Sequence, residues 1–63
     1  MKQHPLYQWR VTQDLSQAEA AEKIGVSDMA WSRWERGKAC PVGTSLLALM
    51  RLTGIAPEKL MGL

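Results

Sequence analysis

The sequence predicts an all-α protein, a compact bundle of about five short helices. Apolar residues recur at the three- and four-residue spacing of helices, and glycine, proline and serine punctuate them at short intervals. No stretch alternates apolar and polar residues as a half-buried strand does. The 63 residues form a single expected domain, residues 1–63, close to the lower size limit for one stable core.

Composition argues against several kinds of protein. Cys40 is the only cysteine and His4 the only histidine, so we expect no internal disulfide, no metal site and no cofactor. The apolar runs are too short to span a bilayer, and the first residues do not resemble a signal peptide. An unpaired thiol suits a reducing compartment, so we expect a cytoplasmic protein.

The first helix is predicted from about residue 5 to residue 13, because a proline is favoured in the first turn. Leu6, Trp9 and Arg10 are spaced to share one face. Asp14 is a plausible end, since aspartate tolerates the left-handed conformation better than most residues.

The second helix is predicted over about residues 17–24. Ser16 and Glu19 have the spacing of a capping box, in which each side chain bonds the other residue's amide. Gly25 follows the helix and ends it, as glycine commonly does. The residues expected to face inward are Ala20, Ala21 and Ile24.

The third helix is predicted over about residues 28–36, between a Ser27 cap and Gly37. At 100° per residue, Trp31 and Trp34 fall on one side and are expected in the core. Stacking of these rings on nucleic-acid bases is the alternative. The opposite side is polar and basic, and consists of Asp28, Met29, Ser32, Arg33 and Arg36.

After a linker, a fourth and strongly apolar helix is predicted over about residues 44–52, with Gly54 ending it. Pro57 opens a last short helix that runs to about Met61.

A tight turn between two helices, the second of which presents a polar face, is the layout that enters a DNA major groove. The net charge is only +2, which permits a polyanionic partner without requiring one. Arg33, Arg36 and Lys38 fall within six residues of each other, although such a cluster alone is more often a solvated surface.

The stretch "LSQAEAAEKIGVSDMAWSRWERGK" resembles the helix-turn-helix of the Cro/cI-type phage repressor family, with the motif at about residues 17–36. The features that match are Gln17, Ala21, Gly25, apolar residues at Ile24, Val26, Trp31 and Trp34, and the run from Glu35 to Lys38. The resemblance extends from Leu6 to Leu60 and implies a lambda repressor-like DNA-binding domain.

The resemblance also implies roles for individual residues. Arg10 is expected to form a structural ion pair with Glu35, which ties the first helix to the end of the third. The residues expected to contact DNA bases are Asp28, Met29, Ser32 and Arg33. Those expected to contact backbone phosphate are Gln17, Ser27, Arg36 and Lys38.

The chain departs from the family pattern at three positions: Asp14 replaces a usual glycine, Ala20 a common leucine, and Trp31 a usual isoleucine or valine. The exchange at Ala20 and Trp31 conserves core volume if the two side chains touch. Asp28 faces a polyanion, so it either accepts from cytosine N4 or adenine N6, or is simply an acidic residue favoured in a first helical turn.

The sequence therefore predicts a regulator that binds a palindromic operator in double-stranded DNA as a homodimer, most like a free-standing Cro-type repressor of a bacterial cell or phage-infected host. An antitoxin-type module that binds a toxin and its own promoter is the alternative. The expected dimer interface is apolar, although the same residues could form the lower edge of the core: Ile55, Leu60, Met61 and Leu63.

We expect no enzymatic activity, no membrane association and no small-molecule substrate. His4 lies near an end that we expect to be mobile, and the acidic residues Asp14, Glu19 and Glu22 form no pair beside an evident cleft. The serines are explained as two caps, a polar surface residue and a helix start: Ser16, Ser27, Ser32 and Ser45.

Overall fold

A computed structural model describes residues 4–62 and contains only helices there. In chain order the helices are α1 (Pro5–Thr12), α2 (Gln17–Lys23), α3 (Asp28–Glu35), α4 (Gly43–Thr53) and α5 (Pro57–Leu60). The all-α prediction is confirmed, and each boundary lies within one residue of its predicted position. None of these helices has the length and apolar character needed to cross a membrane.

The predicted helix caps are present. Ser16 Oγ accepts a hydrogen bond from the Glu19 amide at 3.0 Å, and the Glu19 carboxylate accepts one from the Ser16 amide at 2.8 Å. Ser27 Oγ accepts from the Ala30 amide at 3.1 Å and so starts α3. These bonds satisfy amide groups that the first turn of a helix otherwise leaves without a partner.

Two positions with positive φ reverse the chain after α1 and α2. Asp14 has a φ of 59°, as predicted for a residue that replaces glycine there. Gly25 has a φ of 73° and leads directly into Val26 and Ser27. Because a residue with a Cβ is strained at such angles, Gly25 allows α3 to begin so soon after α2 ends.

The core lies between all five helices. Its fully buried apolar side chains are Leu6, Ala20, Ala21, Trp31, Trp34, Leu49 and Leu60. Trp31 is 0% exposed and Trp34 6% exposed, which confirms that both rings belong to the core rather than to a stacking surface. The Trp31 ring lies between Trp9, at 6.3 Å between ring centroids, and Trp34, at 6.0 Å.

His4, which was expected near a mobile end of the chain, is held at both ring nitrogens, while residues 1–3 lie outside the described residues. His4 Nδ1 accepts a hydrogen bond from the Leu6 amide at 3.1 Å and caps α1. His4 Nε2 lies 3.2 Å from the carbonyl oxygen of Leu60. With Nδ1 acting as the acceptor, the neutral tautomer places the proton on Nε2, which then donates to Leu60. The ring therefore joins the start of α1 to the end of α5.

The expected dimer interface needs one correction. Leu60 is only 1% exposed and belongs to the core, so its side chain is not available to a second copy of the folded chain. Ile55 and Met61 are half-buried, and Leu63 lies outside the described residues. For Leu60, the alternative interpretation as part of the core is the one that the structure supports.

Candidate nucleic-acid interface

The α3 helix is held from behind by its two tryptophans. Trp31 and Trp34 lie three residues apart and therefore point to the same side, into the core that all five helices share. Aromatic side chains bury a large apolar area, which makes them effective anchors for a helix of only eight residues. The other side of α3 is consequently fixed in place but open to solvent.

That outer side carries most of the residues expected to contact DNA. Met29 is the most exposed large apolar side chain of α3, at 60%, although apolar groups normally avoid water. Ser32 is half-buried. The remaining expected contacts from this part of the chain are exposed: Ser27, Asp28, Arg33, Arg36 and Lys38.

An open depression joins the start of α2 to the outer side of α3. Its lining residues are Gln17, Asp28, Met29, Ser32 and Arg36. The set combines three residues expected to contact bases with two expected to contact phosphate. The fold therefore brings together residues that lie up to 19 positions apart in the sequence.

Among the described residues, the two arginines along this surface form no ion pair with a carboxylate. Arg33 Nη2 lies 3.8 Å from the Met29 sulfur, one helical turn away. Arg36 Nε lies 3.4 Å from the Ser32 carbonyl oxygen, a long and weak contact. Each contact engages one of the five N–H groups of a guanidinium, so most of the donor capacity is left for a ligand.

The Glu35 carboxylate at the end of α3 accepts four hydrogen bonds from three side chains. Arg10 Nε donates to Oε2 at 2.6 Å and Arg10 Nη2 to Oε1 at 3.2 Å, so the ion pair is bidentate. Gln17 Nε2 donates to Oε1 at 3.0 Å, and Trp31 Nε1 donates to Oε2. Arg10 also donates to the Leu15 carbonyl oxygen at 2.9 Å, which fastens α1 to the start of the helix-turn-helix.

The environment of Glu35 favours its ionised form. The side chain is only 4% exposed, and burial by itself raises the pKa of a carboxyl. Hydrogen bonds from Arg10, Gln17 and Trp31, together with the charge of Arg10, outweigh burial and hold the pKa of Glu35 below its ordinary value. The hydrogen bonds to Glu35 and the charge of Glu35 in turn raise the pKa of Arg10, so the pair stays charged.

Sequence reasoning anticipated the Arg10–Glu35 pair from the family resemblance but missed the other two partners of Glu35. Trp31 precedes Glu35 by four residues, so the two side chains share a helix face, and this spacing was the available signal. The Gln17 contact crosses from α2 to α3 and has no local signal. Gln17 was expected to contact phosphate, and in the free protein its amide already has a protein partner.

Few acidic residues line this depression. Glu19 and Glu22 line a separate depression on α2 with Leu15 and Lys23. Asp28 is the one acidic residue in the depression between α2 and α3. Residues 4–62 contain no group of three or more His, Cys, Asp and Glu side chains that could hold a metal ion.

A tight turn between two packed helices, the second anchored from behind and exposing polar and basic groups, defines a helix-turn-helix DNA-binding domain. A model of the helix-turn-helix family matches residues 6–60, and the chain belongs to this family, in its Cro/cI-type branch. The chain is also similar to Repressor protein C2 of Salmonella phage P22, with 38% identity over 47 residues. That match covers 75% of this chain and 22% of the P22 protein, so the chain spans about a fifth of the length of this curated relative. No solved structure matches the chain.

Proposed function

We propose that this protein is a sequence-specific transcriptional regulator, a Cro-like repressor that binds a palindromic operator as a homodimer through the major groove. The observation that carries the proposal is the outer side of α3, which is solvent-exposed, polar and rigidly supported by buried tryptophans. A helix fits the major groove, and residues of its first turns reach base edges. The name of the P22 relative, a repressor protein, supports the same role.

The side chains on α3 suit different base edges. Arg33 can donate two hydrogen bonds to O6 and N7 of guanine, the most common specific contact in such complexes. Met29 offers an exposed apolar group to a thymine methyl. Asp28 can accept from cytosine N4 or adenine N6, and Ser32 can bond either kind of edge.

The surrounding groups suit the phosphate backbone. Arg36 and Lys38 are exposed cations at and after the end of α3, and their attraction to phosphate is independent of sequence. The Ser27 hydroxyl accepts a bond from the Ala30 amide and keeps its own hydrogen available for donation. Gln17 reaches the same depression from α2.

Dimerisation follows from the small size of this surface. One short helix reads only a few base pairs, too few to single out one site among the roughly 10⁶ or more competing sites of a genome. Two copies related by a two-fold axis would read two half-sites about one helical turn apart. The half-buried apolar residues Ile55 and Met61, at the C-terminal side of the domain, are the described residues proposed to meet across that axis.

Selection of bound duplexes from a random DNA pool, at a fixed salt concentration of about 0.15 M, tests the proposal. A shared motif with two inverted half-sites is the expected result. Salt-sensitive binding with no shared motif would contradict sequence-specific regulation and favour the alternative of a protein-interaction module such as an antitoxin.

A further inference from the structure

The hydrogen bond between Gln17 and Glu35 determines the orientation of the Gln17 side-chain amide. Glu35 Oε1 lies 3.0 Å from Gln17 Nε2, and the Glu35 side chain is only 4% exposed. An ionised carboxylate accepts hydrogen bonds and donates none. The part of the Gln17 amide that faces Glu35 must therefore be its NH2 group and not its carbonyl oxygen.

Amide nitrogen and oxygen are nearly identical in shape, so the hydrogen-bonding partners decide which atom faces Glu35. The other bonds to Glu35 keep it in the acceptor state: Arg10 pairs with both oxygens, and the Trp31 indole N–H donates to Oε2. The lowered pKa of Glu35 agrees with a group that is ionised at neutral pH. Gln17 is thus the side-chain amide whose orientation this carboxylate determines.

Gln17 also borders the surface proposed to receive DNA. It lines the depression together with residues from the outer side of α3, and it is half-buried rather than free in solvent. An NH2 group has two N–H bonds, and Glu35 takes one of them. Among the described residues the second N–H of this nitrogen has no protein partner, and a flipped amide would place at the same position a carbonyl oxygen, which repels an anionic phosphate.

We propose that Glu35 is a positioning residue for DNA binding, one that sets the Gln17 amide so that an N–H group meets a backbone phosphate. The proposal rests on the proposed DNA-binding function, and it explains how the Gln17 side chain is oriented for its expected contact with phosphate. Glu35 itself touches no DNA. Its effect on affinity passes through Gln17, while its ion pair with Arg10 serves stability.

A double-mutant cycle in DNA affinity tests this dependence. The probe is a duplex carrying the motif obtained by selection, and the variants are Gln17→Ala, Glu35→Gln and the double variant. Gln17→Ala should weaken binding about tenfold, the effect of losing one hydrogen bond to a charged group. Glu35→Gln should weaken it to a similar extent, and the double variant should be no more than about twofold weaker than Gln17→Ala alone.

Because Gln17 is neutral, Gln17→Ala should leave the slope of log Kd against log salt concentration unchanged. If the affinity losses of the two single variants multiply in the double variant, Glu35 does not act through Gln17 and the inference is overturned. Normal DNA binding by the wild type would then leave the proposed function intact. A wild-type protein that binds no duplex would refute the proposed function and the inference with it.

Trp31→Phe is the matched control, because it removes a donor from Oε2 while Gln17 bonds Oε1. Measured at a temperature where every variant is folded, Trp31→Phe should keep its affinity within about twofold of wild type. A loss as large as that of Glu35→Gln would show that Glu35 acts only through stability, which overturns the inference.

Side-chain amide signals in the NMR spectrum of the free protein decide the orientation even if Glu35→Gln fails to fold. In wild type, the NH2 protons of Gln17 should exchange with water more slowly than those of the exposed Gln8. Equal exchange at Gln17 and Gln8 would overturn the inference.

Discussion

At the scale of single residues, Arg33 is expected to determine preference for one base pair. Its guanidinium is exposed on the outer side of α3, and among the described residues its only hydrogen-bonding contact is with the Met29 sulfur. Arg33→Ala should reduce discrimination at one position of the site by roughly 1–3 kcal/mol, because a bidentate contact to guanine is lost. Competition between duplexes that differ at single positions measures this discrimination.

Lys38→Ala is the control for Arg33→Ala, because a phosphate contact carries no sequence information. It should weaken binding to all duplexes alike and reduce the salt slope by about 1. If Arg33→Ala behaves in the same way, with its base preference unchanged, then Arg33 contacts phosphate and its assignment as a base contact is wrong.

Glu35 should make stability depend on acid pH. Its pKa in the folded protein lies below the ordinary value of 4.5, so the folded state holds the carboxylate more strongly than the unfolded chain does. The contribution of Glu35 to the free energy of unfolding is fully present above the pKa that Glu35 has in the unfolded chain. It is lost as the pH falls through the lower pKa that Glu35 has in the folded protein. Glu19, whose pKa is lowered by its bonds to Ser16, acts in the same direction.

Urea unfolding between about pH 6 and pH 3 measures this dependence. The free energy of unfolding should fall on acidification in the wild type and fall less in Glu35→Gln, provided that the variant folds. A Glu35→Gln variant with the same acid dependence as the wild type would show that Glu35 contributes no such linkage.

At the scale of the helices, α3 depends on its tryptophans. Trp34→Ala removes a ring that is 6% exposed and stacks at a tilt on Trp31. The loss of a buried tryptophan costs roughly 3–5 kcal/mol, and a domain this small has little more stability than that. Circular dichroism should therefore show a largely unfolded chain at 25 °C. A cooperative thermal transition lowered by only a few degrees would contradict the anchoring role.

The boundaries of the helices could be predicted because local chemistry sets them. Ser16, Ser27 and Gly25 act within a few residues of their own positions, so their effects can be read from sequence. The same holds for the placement of the tryptophans, which follows from helical periodicity.

What could not be predicted depends on contacts between distant parts of the chain. His4 is ordered by Leu60, 56 residues away, and no sequence pattern near His4 indicates that partner. Gln17 meets Glu35 only because α2 and α3 pack together. For Leu60 the sequence left a dimer interface and the core as alternatives, because periodicity over a four-residue helix cannot tell one from the other.

At the scale of the whole molecule, we expect two protein chains on one palindromic duplex and a weak or absent dimer in free solution. Sedimentation of the protein with a single operator duplex measures the number of protein chains bound per duplex. One chain per full palindrome at saturation would contradict the dimer.

A variant of the proposed interface must avoid the core, so Met61→Glu is preferred to Leu60→Glu. Met61 is half-buried, and a charge there should prevent paired binding while the chain still folds. Glu58→Gln, an exposed change on the same short helix, should leave paired binding intact. If Met61→Glu still binds as a cooperative pair, the proposed interface is wrong.

The outer side of α3 is the surface that we propose meets DNA. Titration of the ¹⁵N-labelled protein with a selected duplex, followed by amide chemical shifts, tests this claim most directly. The largest changes should occur at the residues expected to contact bases and at Gln17 and Ser27, and a scrambled duplex should produce smaller changes at the base-contacting set: Asp28, Met29, Ser32 and Arg33. Changes concentrated instead on α4 or α5, with α3 unaffected, would contradict the account.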